Sequence, residues 1–218
     1  MIKTVNTLIV SGGNINEELI NEIFLNNKFD NIIACDKGLE ELDKCSILPT
    51  CIIGDFDSIN KTILDKYINK ENIEITRLNS EKDYTDTHVA IKKAIQLKST
   101  NVVIIGAIGT RIDHTLANIN VLNELLDSNI DGRIIDSNNE IRLLKNKTVI
   151  EENNSYKYVS LLPLTTSVKG ITLNGFKYPL ENATLNIGHS VGISNEQICK
   201  NASIDIKEGI LILIRSRD

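Results

Sequence analysis

Cysteine is scarce in this chain, and its spacing excludes two chemistries. The four cysteines are Cys35, Cys45, Cys51 and Cys199. No two form a C-x-x-C pair, so neither a zinc knuckle nor a thioredoxin-like redox site is expected. Cys35 and Cys51 fall in or beside apolar runs, which reads as reduced core thiols in a cytoplasmic protein. Positive charge is also short: 24 Lys and Arg stand against 29 Asp and Glu, a net charge of −5 with no basic block. That balance excludes a nucleic-acid-binding surface. No apolar run is long enough to span a membrane, and Met1 to Asn6 lead straight into a strand with no signal-peptide pattern. A G-x-x-x-x-G-K-[ST] loop is missing, as is G-x-G-x-x-G after the first strand, so a Walker-type NTPase and an NAD-binding protein are both unsupported. No Ser or Cys sits in a nucleophile elbow. The sequence shows no internal repeat and no low-complexity segment.

What remains is an ordinary globular composition, 41% hydrophobic and 24% charged over 218 residues, enough for one large domain or two small ones. Up to residue 137, short Val- and Ile-rich runs alternate with helical spacing. Strands are expected at Thr7–Val10, Asn31–Cys35, Cys51–Ile53, Ile73–Thr76, Asn101–Ile105 and Gly132–Ile135. Between them lie helices, one begun by Asn14 or Asn16, others near Leu39–Leu42, Asn60–Asn69, Asp83–Leu97 and Thr115–Leu126. Such alternation predicts βαβ units and a parallel sheet. Helical periodicity vanishes after about Asn138. Short strands punctuated by Gly170, Asn174-Gly175, Gly188 and Gly192 follow, which predicts a β-sandwich or barrel. The expected fold is therefore α/β: an N-terminal parallel-sheet, Rossmann-like nucleotide domain over residues 1–137, then an all-β sandwich over 138–218.

The chemistry gathers where the first strands end. Cys51-Ile52-Ile53 stops at Gly54-Asp55-Phe56-Asp57-Ser58, placing two carboxylates at one strand end. Neighbouring carboxylates repel unless a cation lies between them, and oxygen-only ligands suit Mg²⁺ alongside substrate phosphates. The same residues would also make a plain polar turn with Asp57 or Ser58 capping the next helix. Glu81-Lys82-Asp83-Tyr84-Thr85-Asp86-Thr87 opens the Asp83 helix. Asp83 or Thr85 would cap it, Asp86 would complete a three-carboxylate metal site with Asp55 and Asp57, and Lys82 would offset phosphate charge. Gly106-Ala107-Ile108-Gly109-Thr110-Arg111-Ile112-Asp113-His114 follows the Asn101 strand. It offers small residues for close backbone approach, helix N-terminal amides for an anion and Arg111 for a bidentate phosphate contact. Asp113 could equally be the helix cap. Ser11-Gly12-Gly13 and Asp36-Lys37 end the first two strands on the same edge. The candidate nucleotide-binding residues are thus Ser11, Gly12, Gly13, Asp36, Lys37, Lys82, Asp83, Thr85, Arg111 and His114.

Four motifs in order, Gly54-Asp55-Phe56-Asp57-Ser58, Asp83-Tyr84-Thr85-Asp86, Gly109-Thr110-Arg111-Ile112-Asp113-His114 and Gly192-Ile193-Ser194-Asn195-Glu196, make the chain resemble the thiamine pyrophosphokinase family along nearly its whole length. The resemblance implies transfer of the β,γ-diphosphate of ATP to the hydroxyl of thiamine, with release of AMP. It implies a homodimer with active sites between subunits. Asp55, Asp57 and Asp86 would hold Mg²⁺, Arg111 and Asp113 would line the diphosphate and catalytic region, and Ser194 and Asn195 would hydrogen-bond the thiamine pyrimidine. Asp55 and Asp113 are both candidates for orienting the thiamine hydroxyl. Two departures stand out. The chain has no tryptophan to stack on thiamine, and Lys37 occupies a position where many members carry a small or different residue. Competing readings are an aspartyl-phosphate phosphatase using Asp55, a metal-dependent glycosyltransferase and a non-catalytic nucleotide sensor.

Overall fold

The computed structural model describes residues 3–79 and 83–218. The chain divides into two compact units, 1–137 and 138–218.

The first unit carries six parallel strands: β1 (Asn6–Val10), β2 (Asn31–Cys35), β3 (Cys51–Gly54), β4 (Glu74–Arg77), β5 (Asn101–Ile105) and β6 (Asp131–Ile135). Their spatial order is β4-β3-β2-β1-β5-β6. β1 pairs in parallel with both β2 and β5. The chain therefore runs outward in one direction from β1 to β4, then restarts on the other side of β1 with β5. That reversal leaves a crevice beyond the carboxyl ends of β1 and β5, where open α/β sheets bind ligands. The central strands are apolar throughout because both faces are covered: Leu8, Ile9, Val10, Ile33, Ile52, Ile53 and Ile104 are fully buried, as a parallel sheet requires.

The helices are α1 (Glu17–Asn26), α2 (Gly38–Lys44), α3 (Lys61–Tyr67), α4 (Asp86–Gln96) and α5 (Ile112–Asp127). Their starts follow capping chemistry. Asn16 caps α1, its side-chain oxygen accepting from the Leu19 N–H at 2.8 Å. Asn60 caps α3 through Thr62 N–H at 2.9 Å, so neither Asp57 nor Ser58 takes that task. Thr85, not Asp83, caps α4, accepting from His88 N–H at 3.3 Å. α5 starts three residues earlier than its apolar spacing predicts, with Arg111 as N-cap residue and no side-chain cap; Asp113 lies inside the first turn. Leu19, Ile20, Leu39, Leu42, Leu64 and Tyr67 carry the inward faces of α1 to α3 into one cluster with β1 to β3. Burying such side chains stabilises by about 1.5–3 kcal/mol each.

The second unit is all β. β7 (Asn139–Leu144), β9 (Tyr158–Pro163) and β13 (Leu211–Ser216) form an antiparallel group with β13 in the middle. β8 (Thr148–Glu151), β10 (Ser167–Asn174), β11 (Leu180–Asn186) and β12 (Asn201–Asp205) form a separate antiparallel sheet in the order β11-β10-β12-β8. Leu144, Val159, Leu161, Leu211 and Leu213 from the first group meet Ile150, Val168, Ile171, Leu185 and Ile204 from the second in one apolar cluster. A buried ion pair crosses the first group: Arg215, opposite Glu140 in register, donates through Nη2 to Oε1 at 2.5 Å.

Candidate active site

A cleft of about 320 Å³ opens at the carboxyl edge of the first unit. The segments after β1 to β5 contribute to it. β1 supplies Ser11, Gly12 and Gly13; β2 supplies Cys35, Asp36 and Lys37; the segment after β3 supplies Ser58; the start of α4 supplies Thr85, Asp86 and Thr87. The loop after β5 adds Gly106, Ala107, Gly109, Thr110 and Arg111, and α5 adds His114 and Asn118.

The β1 and β5 loops are locked together at the crevice. Ser11 N–H donates to Ile105 O at 2.9 Å, Gly13 N–H to Gly106 O at 2.8 Å and Asn14 N–H to Ile108 O at 3.1 Å. Gly106 has φ +68°, and a side chain there would overlap the Ser11 carbonyl. Only glycine meets both demands without strain. On the floor, the Ser11 and Thr87 hydroxyls share a hydrogen bond of 2.9 Å between two buried side chains. The Cys35 thiol reaches Asp86 O at 3.7 Å. Its burial pushes its pKa well above the usual thiol range, and Asp86 pushes it further, so Cys35 is an inert floor residue.

The electrostatic centre is Asp36. It sits at φ +43°, a conformation that costs a non-glycine residue on the order of 1 kcal/mol. Its carboxyl lies against Gly54, where any side chain would overlap it. It accepts the Phe56 N–H at 3.3 Å and shares a hydrogen bond with Asp86. Burial, then the neighbouring Asp86 charge, lifts its pKa from 3.8 to about 7. Two carboxyl groups in contact favour one shared proton or an intervening cation.

The sequence-predicted residues do not all meet here. Ser11, Gly12, Gly13, Asp36, Lys37, Thr85, Arg111 and His114 line the cleft, as does Asp86. Asp83 is exposed and off the lining, and Lys82 lies outside the described residues. Among the described residues, no three His, Cys, Asp or Glu side chains are gathered closely enough to form a metal ligand set. Asp55, Asp57 and Asp86 are accordingly not gathered into one set. Asp86 turns to Asp36, Asp55 Oδ1 accepts the Asp57 N–H at 3.1 Å, and Asp57 is exposed. Arg111 lines the cleft mouth while its guanidinium meets Asp113 Oδ2 at 2.6 Å. Both side chains are well exposed, and this partnership holds Asp113 below the usual carboxylate range. Asp113 itself is not on the lining.

In the second unit, Ser194 and Asn195 have opposite placements. Ser194 is exposed, at φ +59°, with its N–H donating to Ser160 Oγ at 3.0 Å. Asn195 is buried. Its side-chain oxygen accepts from Tyr178 N–H at 3.0 Å and Glu196 N–H at 2.9 Å, and its Nδ2 donates to Tyr178 O at 2.8 Å. An amide so bonded braces the loop between Tyr178 and Glu196.

Sequence reasoning missed Thr87 and Asn118. Both look like ordinary helical polar residues, and only the packing of α4 and α5 on the sheet brings them to the cleft.

A parallel α/β unit with a polar cleft at its strand-order reversal, joined to an all-β unit, defines a two-part ligand-binding class of protein. Comparison with known proteins is specific. The sequence profile described as thiamin pyrophosphokinase, catalytic domain, matches residues 24–134, and that described as thiamin pyrophosphokinase, vitamin B1 binding domain, matches residues 147–211. Thiamine pyrophosphokinase of Bacillus subtilis is 36% identical over 187 residues, 85% of this chain and 87% of that protein. The crystal structure of the thiamine pyrophosphokinase from Bacillus subtilis matches with a TM-score of 0.89 at 32% identity, covering 98% of this chain and 99% of that one. The structure from Geobacillus thermodenitrificans matches with a TM-score of 0.86 at 29% identity. The chain belongs to the thiamine pyrophosphokinase family.

Proposed function

We propose that this protein is an enzyme that transfers the diphosphate of ATP to the hydroxyl of thiamine, giving thiamine diphosphate and AMP. The observation that carries this is the cleft itself, in which Gly12, Arg111 and the Asp36–Asp86 pair border a space of about 320 Å³, in a chain of this family. The first unit is the Rossmann-like ATP-binding domain in this reading, and the second is a β-sandwich domain for thiamine.

Phosphoryl transfer asks the protein for positioning and charge neutralisation more than for covalent help. Ser11, Gly12 and Gly13 border the phosphates; the Ser11 and Gly13 N–H groups are held by Ile105 O and Gly106 O, so the Gly12 main chain is the one that approaches phosphate oxygens. Arg111, at the cleft mouth, exchanges Asp113 for phosphate and offsets its charge. His114, Thr85 and Lys37 border the nucleotide. The donor set fits a divalent cation: the Asp36–Asp86 pair is all oxygen, and its mutual repulsion is what a cation would relieve. Asp36, Asp55, Asp57 and Asp86 would hold Mg²⁺, which supplies charge neutralisation on the diphosphate when bound. Asp55 or Asp113 orients the thiamine hydroxyl. Ser194 presents its hydroxyl to the thiamine pyrimidine, held outward by the braced Asn195.

The working form is a homodimer with the active site near the subunit interface. Val149, Tyr178, Ile187, Val191, Ile193 and Ile198 in the second unit are large apolar side chains left exposed, which suits a protein contact. All four cysteines are free thiols, consistent with a cytoplasmic protein, and no helix among the described residues is long and apolar enough to cross a membrane.

Incubation with Mg²⁺, ATP and thiamine, followed by mass analysis, tests the function. AMP and thiamine diphosphate in equal amounts are expected. Inorganic phosphate released without thiamine would instead favour the phosphatase reading, and ATP binding without turnover the sensor.

A further inference from the structure

Asn118 is 7% exposed and yet belongs to the cleft wall. Its Nδ2 donates to the Ala107 carbonyl at 2.8 Å. A carbonyl only accepts, so the amide nitrogen must face Ala107, and the orientation of the side chain is fixed. The other end of the amide is then an acceptor. Among the described residues, no protein group donates to Asn118 Oδ1. Yet the oxygen is not among the buried side-chain atoms left without a partner, so it is open to the cleft. A fixed acceptor open to the cleft is positioned to take a donor from whatever the cleft binds.

We propose that Asn118 Oδ1 is a specificity contact that accepts a hydrogen bond from the nucleoside part of the nucleotide. This rests on reading the cleft as the ATP site. Phosphate oxygens are themselves acceptors and are excluded from this position. They belong instead beside Gly12 and Arg111. The donors a purine nucleotide carries are its exocyclic amine and its ribose hydroxyls. His114 lies one turn before Asn118 on the same helical face and also lines the cleft. The side of α5 that faces the ligand thus runs from the exposed His114 to the buried Asn118, which places the acceptor at the inner end. A 6-oxo purine would bring an acceptor against it, so the same contact would disfavour GTP and ITP if the amine is the donor.

The test compares kcat/KM for ATP, purine riboside triphosphate, 2′-deoxy-ATP and 3′-deoxy-ATP, with thiamine saturating. The wild-type protein should lose about 3- to 10-fold with the one analogue that lacks the donor, the usual span for one neutral hydrogen bond. Which analogue falls identifies the source, amine or hydroxyl. In Asn118→Ala that analogue and ATP should be used equally well, because the acceptor is gone. Asn118→Ser serves the same comparison if the alanine variant does not fold. A residue that only braces the Ala107 loop would lower all four nucleotides by one factor and leave their ratios unchanged, which overturns the proposal. So does a wild-type protein that uses all four alike, as it would if a water molecule satisfied the oxygen. Absence of any turnover with ATP and thiamine overturns the functional reading instead.

Discussion

Asn195→Ala separates a brace from a ligand contact. The wild-type amide makes three hydrogen bonds to main-chain groups, two to Tyr178 and one to Glu196, and the side chain is 8% exposed. Each bond of this kind contributes about 0.5–1.5 kcal/mol net, so their joint loss should destabilise the second unit by roughly 2–4 kcal/mol. For a unit of this size each kcal/mol lowers Tm by about 4–8 °C, giving a fall on the order of 8–32 °C in a calorimetric scan of the apo protein. Thiamine binding should weaken secondarily, because Ser194 loses its support, while ATP binding measured by calorimetry should hold. The combination of a large Tm loss, a raised thiamine KM and an unchanged ATP Kd is the expected signature. An unchanged Tm with a raised thiamine KM would refute this reasoning and return the amide to the pyrimidine.

Asp86→Asn should cost about 100- to 1,000-fold in kcat, the usual effect of removing one preorganised charge from an active site, with no loss of Tm, since a repulsion with Asp36 is relieved; steady-state rates at saturating Mg²⁺ and a thermal melt check both. Asp43 accepts from Lys66 Nζ and Tyr67 Oη, both at 2.8 Å, and ties α2 to α3. These partners, Lys66 first, lower its pKa, so its stabilisation is fully present above about pH 4, the ordinary carboxylate value, and is lost as pH falls through the lower folded value. Asp43→Asn should therefore melt below wild type at pH 7, and the gap should close toward pH 2 in a series of thermal scans. Arg215→Met strands Glu140, which is 4% exposed, and should cost about 3–5 kcal/mol by urea unfolding, whereas the double change with Glu140→Leu should recover most of it.

Much of the fold was legible because its signals are local. The Val and Ile runs of β1, β3 and β5 are too short and too uniformly apolar for amphipathic helices, and each ends in glycine or a polar residue at the ligand edge. Capping chemistry narrows two helix starts to Asn14 or Asn16 and to Asp83 or Thr85, and the structure takes Asn16 and Thr85. α5 was set too short because Ile112 and Leu116 are exposed, so its first turn carries no inward apolar stripe to read. The cleft was legible as an edge but not as a set of contacts. Asp36 and Asp86 are 50 positions apart in the chain, and their meeting depends on how α4 packs against β2. Asp55 and Asp57 read as a metal pair by spacing, yet the turn after β3 uses one to hold the other's N–H. Nothing in the sequence around Asn195 reveals that Tyr178, 17 residues earlier, bonds both ends of its amide.

The measurement closest to the central claim follows the β-phosphate. ATP labelled at that position, supplied with Mg²⁺ and thiamine, should pass its label to thiamine diphosphate and leave AMP unlabelled, because the bond broken lies between the α- and β-phosphates. Label retained in ADP, with thiamine monophosphate as the other product, would mean transfer of a single phosphoryl group and would contradict the assignment.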